Sequence, residues 1–292
     1  MRGMRTFGLL AGAAALVLSL AAPSPARCQP VPWDKLPGVD ASVLTDTVKE
    51  RATALMGALS SYAVCSRTVL ACAGEPGASP LVLRMAGFIV RQAAKGKSDD
   101  DVRKAFQERA VSAKPFKTAA LDMTGVPCVG AATPAVTVVA FSDFDCPFCK
   151  LVSPALKRLA LKHADKVAFC FKTFPVKGHG EQAVETAKAG IAARDLGTFW
   201  EFHDAMYESF DKHSASQVES LASRLGMDLS RFRSIRDSGA AKDAVAASKR
   251  EGLKLGVKST PAIYVNGKLY QSEKTEQELE DRILEELEML GR

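Results

Sequence analysis

The stretch Val136-Thr137-Val138-Val139-Ala140-Phe141-Ser142-Asp143-Phe144-Asp145-Cys146-Pro147-Phe148-Cys149-Lys150 joins two unlike patterns. Val136 to Phe141 is short, almost wholly apolar and rich in valine, as a buried strand requires. Two cysteines separated by two residues follow, and then Val152, Leu156 and Leu159 recur at helical spacing, with Pro154 as an expected kink. A strand ending at a Cys-x-x-Cys that opens a helix puts Cys146 at the helix N-terminus. Unpaired N–H groups and about half a positive charge favour a thiolate there. A free thiol has a pKa near ~8.5, and a fall of about three units leaves Cys146 almost fully ionised at neutral pH. Such a sulfur leaves readily, stabilises the reduced form and makes the disulfide oxidising. Cys146 is therefore the candidate nucleophile. Cys149, one turn further in, is expected to be more buried, with a higher pKa, and to act as the resolving thiol. Pro147 and Phe148 are uncharged, and Phe148 offers apolar contact to an unfolded substrate.

A zinc site would need two further ligands at suitable spacing. No second Cys-x-x-Cys exists, and His163, His179, His203 and His213 show no pairing with the cysteines, so neither metal nor cofactor is expected. A net charge of +6 on 292 residues, with Lys and Arg spread among Asp and Glu, gives nucleic-acid binding no support.

Downstream, Val167 to Phe171 reads as a second strand. Residues 181–256 are helical, broken at Gly197, His213-Ser214 and Gly226. Ala262 to Val265 is a third strand, and Asn266-Gly267 signals a tight hairpin into Lys268–Tyr270. A last helix starts near Thr275, with Glu278 closing a capping box, and buries Leu279, Ile283, Leu287 and Leu290. Its acids Glu278, Glu280, Asp281, Glu285, Glu286 and Glu288 are expected on a solvated face. The order β-α-β, a helical block, then β-β-α is an α/β sandwich with a helical insertion over about 178–256. Phe199, Phe202, Met206 and Phe210 recur at helical spacing beside Trp200, His203 and Tyr207, as core packing or the lining of a substrate groove. His179, between Gly178 and Gly180, reads as a solvated loop.

Upstream, residues 1–26 read as a secretory signal peptide: Arg2 and Arg5, an apolar Phe7 to Ala22, and Ser24-Pro25-Ala26 as the cleavage site. The apolar stretch falls short of the ~20 residues of a membrane span, and Arg27 argues against lipidation of Cys28. Residues 27–113 form an all-helical N-terminal domain, with stripes at Leu44, Val48, Ala52, Leu55 and Leu59. Helix starts follow at Ser79-Pro80 and Ser98. Residues 114–133 read as a linker and 134–292 as the α/β domain.

Seven cysteines suit an oxidising compartment. Cys65 and Cys72, six residues apart between predicted helices, suggest a structural disulfide, with a second redox centre or free thiols as alternatives. Cys170, between Phe169 and Phe171, reads as a buried inert thiol. Cys28 and Cys128 lie in irregular segments, and pairing with each other, staying free and cross-linking two chains all remain open.

Phe141 to Lys150 and a second stretch, Ser259-Thr260-Pro261-Ala262-Ile263-Tyr264-Val265-Asn266-Gly267, together resemble the two signatures of the DsbA-like thioredoxin family of exported thiol:disulfide oxidoreductases, over residues 128–290. Pro154 is similar to the proline that thioredoxin-like active-site helices commonly carry. The resemblance implies a thioredoxin-like sandwich, a cis Pro261 facing the cysteines, and a Thr260 backbone free to pair with an extended substrate. It implies a periplasmic or otherwise extracytoplasmic dithiol oxidase acting on reduced or misoxidised exported proteins and reoxidised by a quinone-linked membrane partner. Ala140 departs from the pattern, standing where relatives carry an acidic residue six positions before the first cysteine. Asp143 and Asp145 are nearer but expected to be exposed. Ala94 to Val102 resembles the helical thiol domain of CcmH-type cytochrome c maturation proteins, whose cysteines are two residues apart rather than six. Two other readings stay open: a reductase or isomerase, for example in cytochrome c maturation, forming a homodimer through the N-terminal domain; and a non-catalytic, chaperone-like binding module.

Overall fold

The computed structural model describes residues 30–292 apart from Val64 and Lys212, so the expected signal peptide and Cys28 lie outside the described residues. Four helices come first: α1 (Asp46–Ala58), α2 (Val69–Ala73), α3 (Pro80–Ala94) and α4 (Asp99–Ala113). Thr45, Ser79 and Ser98 cap α1, α3 and α4 by accepting the N–H of Val48, Val82 and Asp101. Pro80 occupies the first turn of α3, where its missing N–H costs nothing. Leu55, Met56, Leu81, Met85, Phe88 and Phe106 form a core of their own. The short α2 has no periodic signal in the sequence; Cys72 on it is disulfide-bonded to Cys65.

The second part runs β1 (Cys128–Gly130), β2 (Val136–Ser142), α5 (Pro147–Lys162), β3 (Val167–Thr173), α6 (Gln182–Asp195), α7 (Phe199–Glu208), α8 (Ala215–Arg224), α9 (Leu229–Arg236), α10 (Gly239–Lys254), β4 (Ala262–Val265), β5 (Lys268–Leu269) and α11 (Glu276–Met289). The sheet order is β1-β3-β2-β4-β5; β2 and β3 are parallel, joined through α5, and the other pairs are antiparallel. The pleat sends alternate residues to opposite faces. Val138, Ala140, Phe169 and Phe171 meet α5 and α11 in the main core, whereas Phe141 joins Phe174, Val257 and Tyr264 in a smaller one. This is the thioredoxin-like α/β sandwich, with α6–α10 as its helical insertion.

The segment read as a linker does more than connect. Ala119 donates its N–H to the carbonyl of Gly267, and that approach leaves no room for a Cβ at Gly267, whose φ is +75°. Cys128 lies on β1 directly opposite Cys170 on β3, and the two form a disulfide. The reading of Cys170 as an inert free thiol is therefore corrected, and Cys128 pairs with it: the edge strand that brings the sulfurs together is only three residues long.

The acids of α11 are also corrected. Leu279, Ile283 and Leu287 face the sheet as expected, whereas Leu290, also expected in the core, is the exposed C-cap; Glu278, Asp281, Glu285 and Glu286 are buried too. The N-terminal helices cover that face and supply the cations for Glu278, Asp281 and Glu285, whereas Glu286 pairs with Lys268 of β5 and Arg282 of α11. Arg109, 1 % exposed, contacts Glu278 at 2.7 Å and Glu285 at 2.7 Å, while Arg91 reaches Glu278 at 2.9 Å and Asp281 at 2.6 Å. Thr275 caps α11 by accepting the N–H of Glu278, but the Glu278 carboxylate is engaged by the two arginines, so the capping box is half formed.

Candidate active site

β2 delivers the chain to a turn in which Cys146 N–H donates to the Asp143 carbonyl, 3.2 Å away. Cys146 is then the extended N-cap of α5, and Pro147 holds the first helical position. Opposite stands the Thr260-Pro261 bond, which is cis. Cys146 and Cys149 are both reduced, and Cys146 Sγ donates to the Thr260 carbonyl at 3.4 Å. That carbonyl, expected to be free, is thus engaged by the thiol in this state. The Thr260 Oγ1 hydroxyl is buried beside the two sulfurs.

The two sulfurs are electrostatically unlike. A hydrogen bond from the Cys149 thiol, then Thr260 and the N–H groups of Cys149 and Phe148, bring the Cys146 pKa down to about 5. Burial, and then the neighbouring Cys146, push Cys149 well above the ordinary thiol value. Phe148 is 67 % exposed beside them. Leu151, Lys150, Pro154, Lys157 and Tyr207 border an open groove of about 440 Å³ running along α5.

Ala140 is fully buried under the cysteines, with no carboxylate in its place. The neighbouring acids are not solvated, a second correction. Asp143 accepts the N–H of Val176 at 2.8 Å, the N–H of Asp145 at 2.9 Å and Nδ1 of His179 at 2.7 Å. Burial raises its pKa. His179 is therefore a hydrogen-bonded partner rather than a free loop residue. Asp145 accepts from Thr186 Oγ1 at 2.7 Å and from His213 Nδ1 at 2.8 Å, while His213 Nε2 meets the Met206 carbonyl at 2.8 Å. Both ring nitrogens face acceptors, an arrangement that favours the doubly protonated imidazole. Burial opposes that charge, but hydrogen bonds to Asp145 and Met206 prevail and raise the pKa.

On α7, Phe199, Phe202 and Met206 are core residues, and His203 is fully buried with them. Its Nε2 lies 2.8 Å from Ser153 Oγ and its Nδ1 2.9 Å from Asp204. Sequence reasoning missed Ser153, Asp204 and the polar role of His203. The one signal available was a histidine beside an aspartate on an otherwise apolar stripe.

A family model described as thioredoxin matches residues 123–285. The chain belongs to the thioredoxin family. This bears out the resemblance read from the cysteine and proline motifs. Disulfide bond formation protein D of Bacillus subtilis is 26% identical over 191 residues, which are 61% of this chain and 82% of that protein. A Na(+)/H(+) antiporter NhaA 3 of Salinispora tropica is 31% identical over 133 residues; these are 46% of this chain, which spans only about a fifth of the antiporter's length. The crystal structure of a thioredoxin-like oxidoreductase from Silicibacter pomeroyi superposes with a TM-score of 0.50 at 26% identity, over 55% of this chain and 90% of that one. Among the described residues no helix is long and apolar enough to cross a membrane.

Proposed function

We propose that this thioredoxin-family chain is an exported thiol–disulfide oxidoreductase that forms disulfides in other exported proteins through Cys146 and Cys149. The observation that carries the reading is the pair of opposed sulfur environments: Cys146 held near pKa 5 at a helix start facing a cis proline, Cys149 sealed beneath it and pushed upward. A substrate thiolate attacks Cys146 of the oxidised couple and expels Cys149, and a second substrate thiolate then expels Cys146. The substrate gains a disulfide and the enzyme keeps two electrons. A thiolate stabilised as strongly as Cys146 holds the reduced state down in energy, which favours oxidation of substrate over reduction. Exposed Phe148 and the groove beyond it suit an unfolded, partly apolar substrate. Two electrons must then leave, and the membrane quinone pool, reached through a membrane partner, is an acceptor of the right chemistry.

A redox titration of the Cys146–Cys149 couple against glutathione tests the direction. A potential near about −120 mV supports the oxidase, and one near about −270 mV assigns a reductase or isomerase instead. Retention of full function by Cys146→Ala would reduce the chain to a binding module.

A further inference from the structure

We propose that Ser153, His203 and Asp204 form a buried proton relay that serves Cys149. The proposal rests on the reading of Cys149 as the resolving thiol. Ser153 lies four residues beyond Cys149 on α5, which puts the two side chains on one face of the helix, about 5–6 Å apart at Cβ. Cys149, Ser153 and His203 are all 0 % exposed, so none of them meets solvent directly. Ser153 Oγ sits 2.8 Å from His203 Nε2, and Asp204 Oδ1 sits 2.9 Å from Nδ1. The Asp204 side chain is 41 % exposed and is also held by Lys157. A line of polar atoms therefore runs from the helix face that carries Cys149 to the surface, through a core otherwise made of aromatic rings.

The polarity of the line is defined. Asp204 is ionised, because hydrogen bonds to His203 and Lys157 outweigh its burial and lower its pKa. An ionised carboxylate only accepts, so Nδ1 of His203 carries the proton and Nε2 is the acceptor. Ser153 then donates to Nε2, and its oxygen faces the Cys149 side of the helix together with the buried Tyr207 hydroxyl, so a proton from Cys149 reaches it there. Phe144 and Phe171 pack on the imidazole from the site loop and β3, Tyr207 one turn along α7 lies 5.0 Å from it with its hydroxyl kept protonated by burial, and Lys157 of α5 is the nearby cation. Burial first, then Lys157, keeps His203 neutral and able to accept. Asp143, the other buried acid near the cysteines, has its oxygens taken by Val176, Asp145 and His179.

With substrate joined to Cys146, the Cys149 proton passes to the Ser153 oxygen as the Ser153 proton passes to Nε2. The Cys149 sulfur attacks Cys146, the Cys146–Cys149 bond forms, the bond from Cys146 to the substrate sulfur breaks, and that sulfur leaves with the electron pair and takes a proton from water. Nδ1 then releases a proton through Asp204 to solvent. In the opposite direction the relay delivers a proton to Cys149 as the enzyme disulfide opens.

Reduced enzyme mixed with oxidised glutathione separates the steps. Acid quenching and mass spectrometry follow first the Cys146–glutathione mixed disulfide and then its closure by Cys149. Ser153→Ala and His203→Gln are expected to slow closure by roughly a hundredfold near neutral pH, to leave formation of the mixed disulfide within about twofold, and to make that intermediate accumulate. Closure in both variants should climb with pH across a range where the wild type is flat, as hydroxide replaces the relay. Ser153→Ala removes a single oxygen and keeps the test open if His203→Gln fails to fold. Wild-type closure rates and pH profile in a folded Ser153→Ala overturn the relay, as does equal slowing of both steps. Loss of closure in Asp143→Asn alone assigns the proton to Asp143 instead. A wild-type enzyme that forms no mixed disulfide at Cys146 overturns the redox reading, and the relay with it.

Discussion

Cys146 Sγ lies 3.4 Å from the carbonyl oxygen of Thr260, the residue joined by a cis bond to Pro261. The thiol donates to that carbonyl only while protonated. Once ionised it has nothing to donate, and its partners become the Cys149 thiol and the N–H groups of Phe148 and Cys149. Ionisation thus releases the Thr260 carbonyl for an incoming substrate backbone.

Alkylation of Cys146 by iodoacetamide, and the ultraviolet absorbance of its thiolate, should titrate near pH 5. The folded pKa lies below the ordinary thiol value of 9.0, so this contribution to the reduced form is complete above about pH 9. It is lost as the pH falls through about 5. The reduction potential should accordingly fall by ~30 mV per pH unit above that break and ~59 mV below it. Cys149→Ala removes the largest stabilising group and should move the midpoint upward.

Arg109 is buried among Glu278, Asp281 and Glu285 of α11. Replacing it by Met leaves those carboxylates under the N-terminal helices with one cation fewer. Urea unfolding should show a loss of about 3–5 kcal/mol. Combining Arg109→Met with Glu278→Gln and Glu285→Gln should recover part of it, while the Cys146 midpoint stays in place.

The Cys128–Cys170 disulfide closes a loop of 42 residues between an edge strand and the strand beside it. Replacing both cysteines by Ala should lower stability by about 2–4 kcal/mol, mainly through the freer unfolded chain. Thermal unfolding at matched pH measures it.

His213 pairs with Asp145, and hydrogen bonds to Asp145 and Met206 outweigh burial to raise its folded pKa above 6.5. The pair's contribution is therefore full below the unfolded pKa of the histidine and is lost as pH rises through its folded pKa. His213→Gln should be most destabilised relative to wild type in mildly acidic solution. The gap should close as the pH is raised, and stability curves across that range test it.

What was legible in the sequence followed from local rules. The Val136 to Phe141 run, the Ser79-Pro80 start and the Asn266-Gly267 turn each carry their own signal, and each forms the predicted element. The cysteine pair was legible because its chemistry needs a strand and a helix adjacent in sequence. What was hidden depended on residues far apart. Glu278 and Arg109 are 169 positions from each other, so nothing along the final helix announced that its acids would be buried. Ser153 and His203, 50 positions apart, are an ordinary hydroxyl and an ordinary aromatic-stripe residue until α5 and α7 are packed together. β1 and α2 are too short to show a period, and with β1 went the partner of Cys170.

The contact between α11 and the N-terminal helices also bears on how such a chain could have been assembled. Its α11 side carries Met289 but is mostly Glu278, Asp281 and Glu285, side chains that water accepts as readily as the arginines do. A core-like apolar seam would leave an ancestor without the four helices prone to aggregate; this one would leave it with an ordinary acidic surface. The seam that joins the helical unit to the redox fold is thus held mainly by charge, unlike the apolar packing that joins α5 and α11 to the sheet.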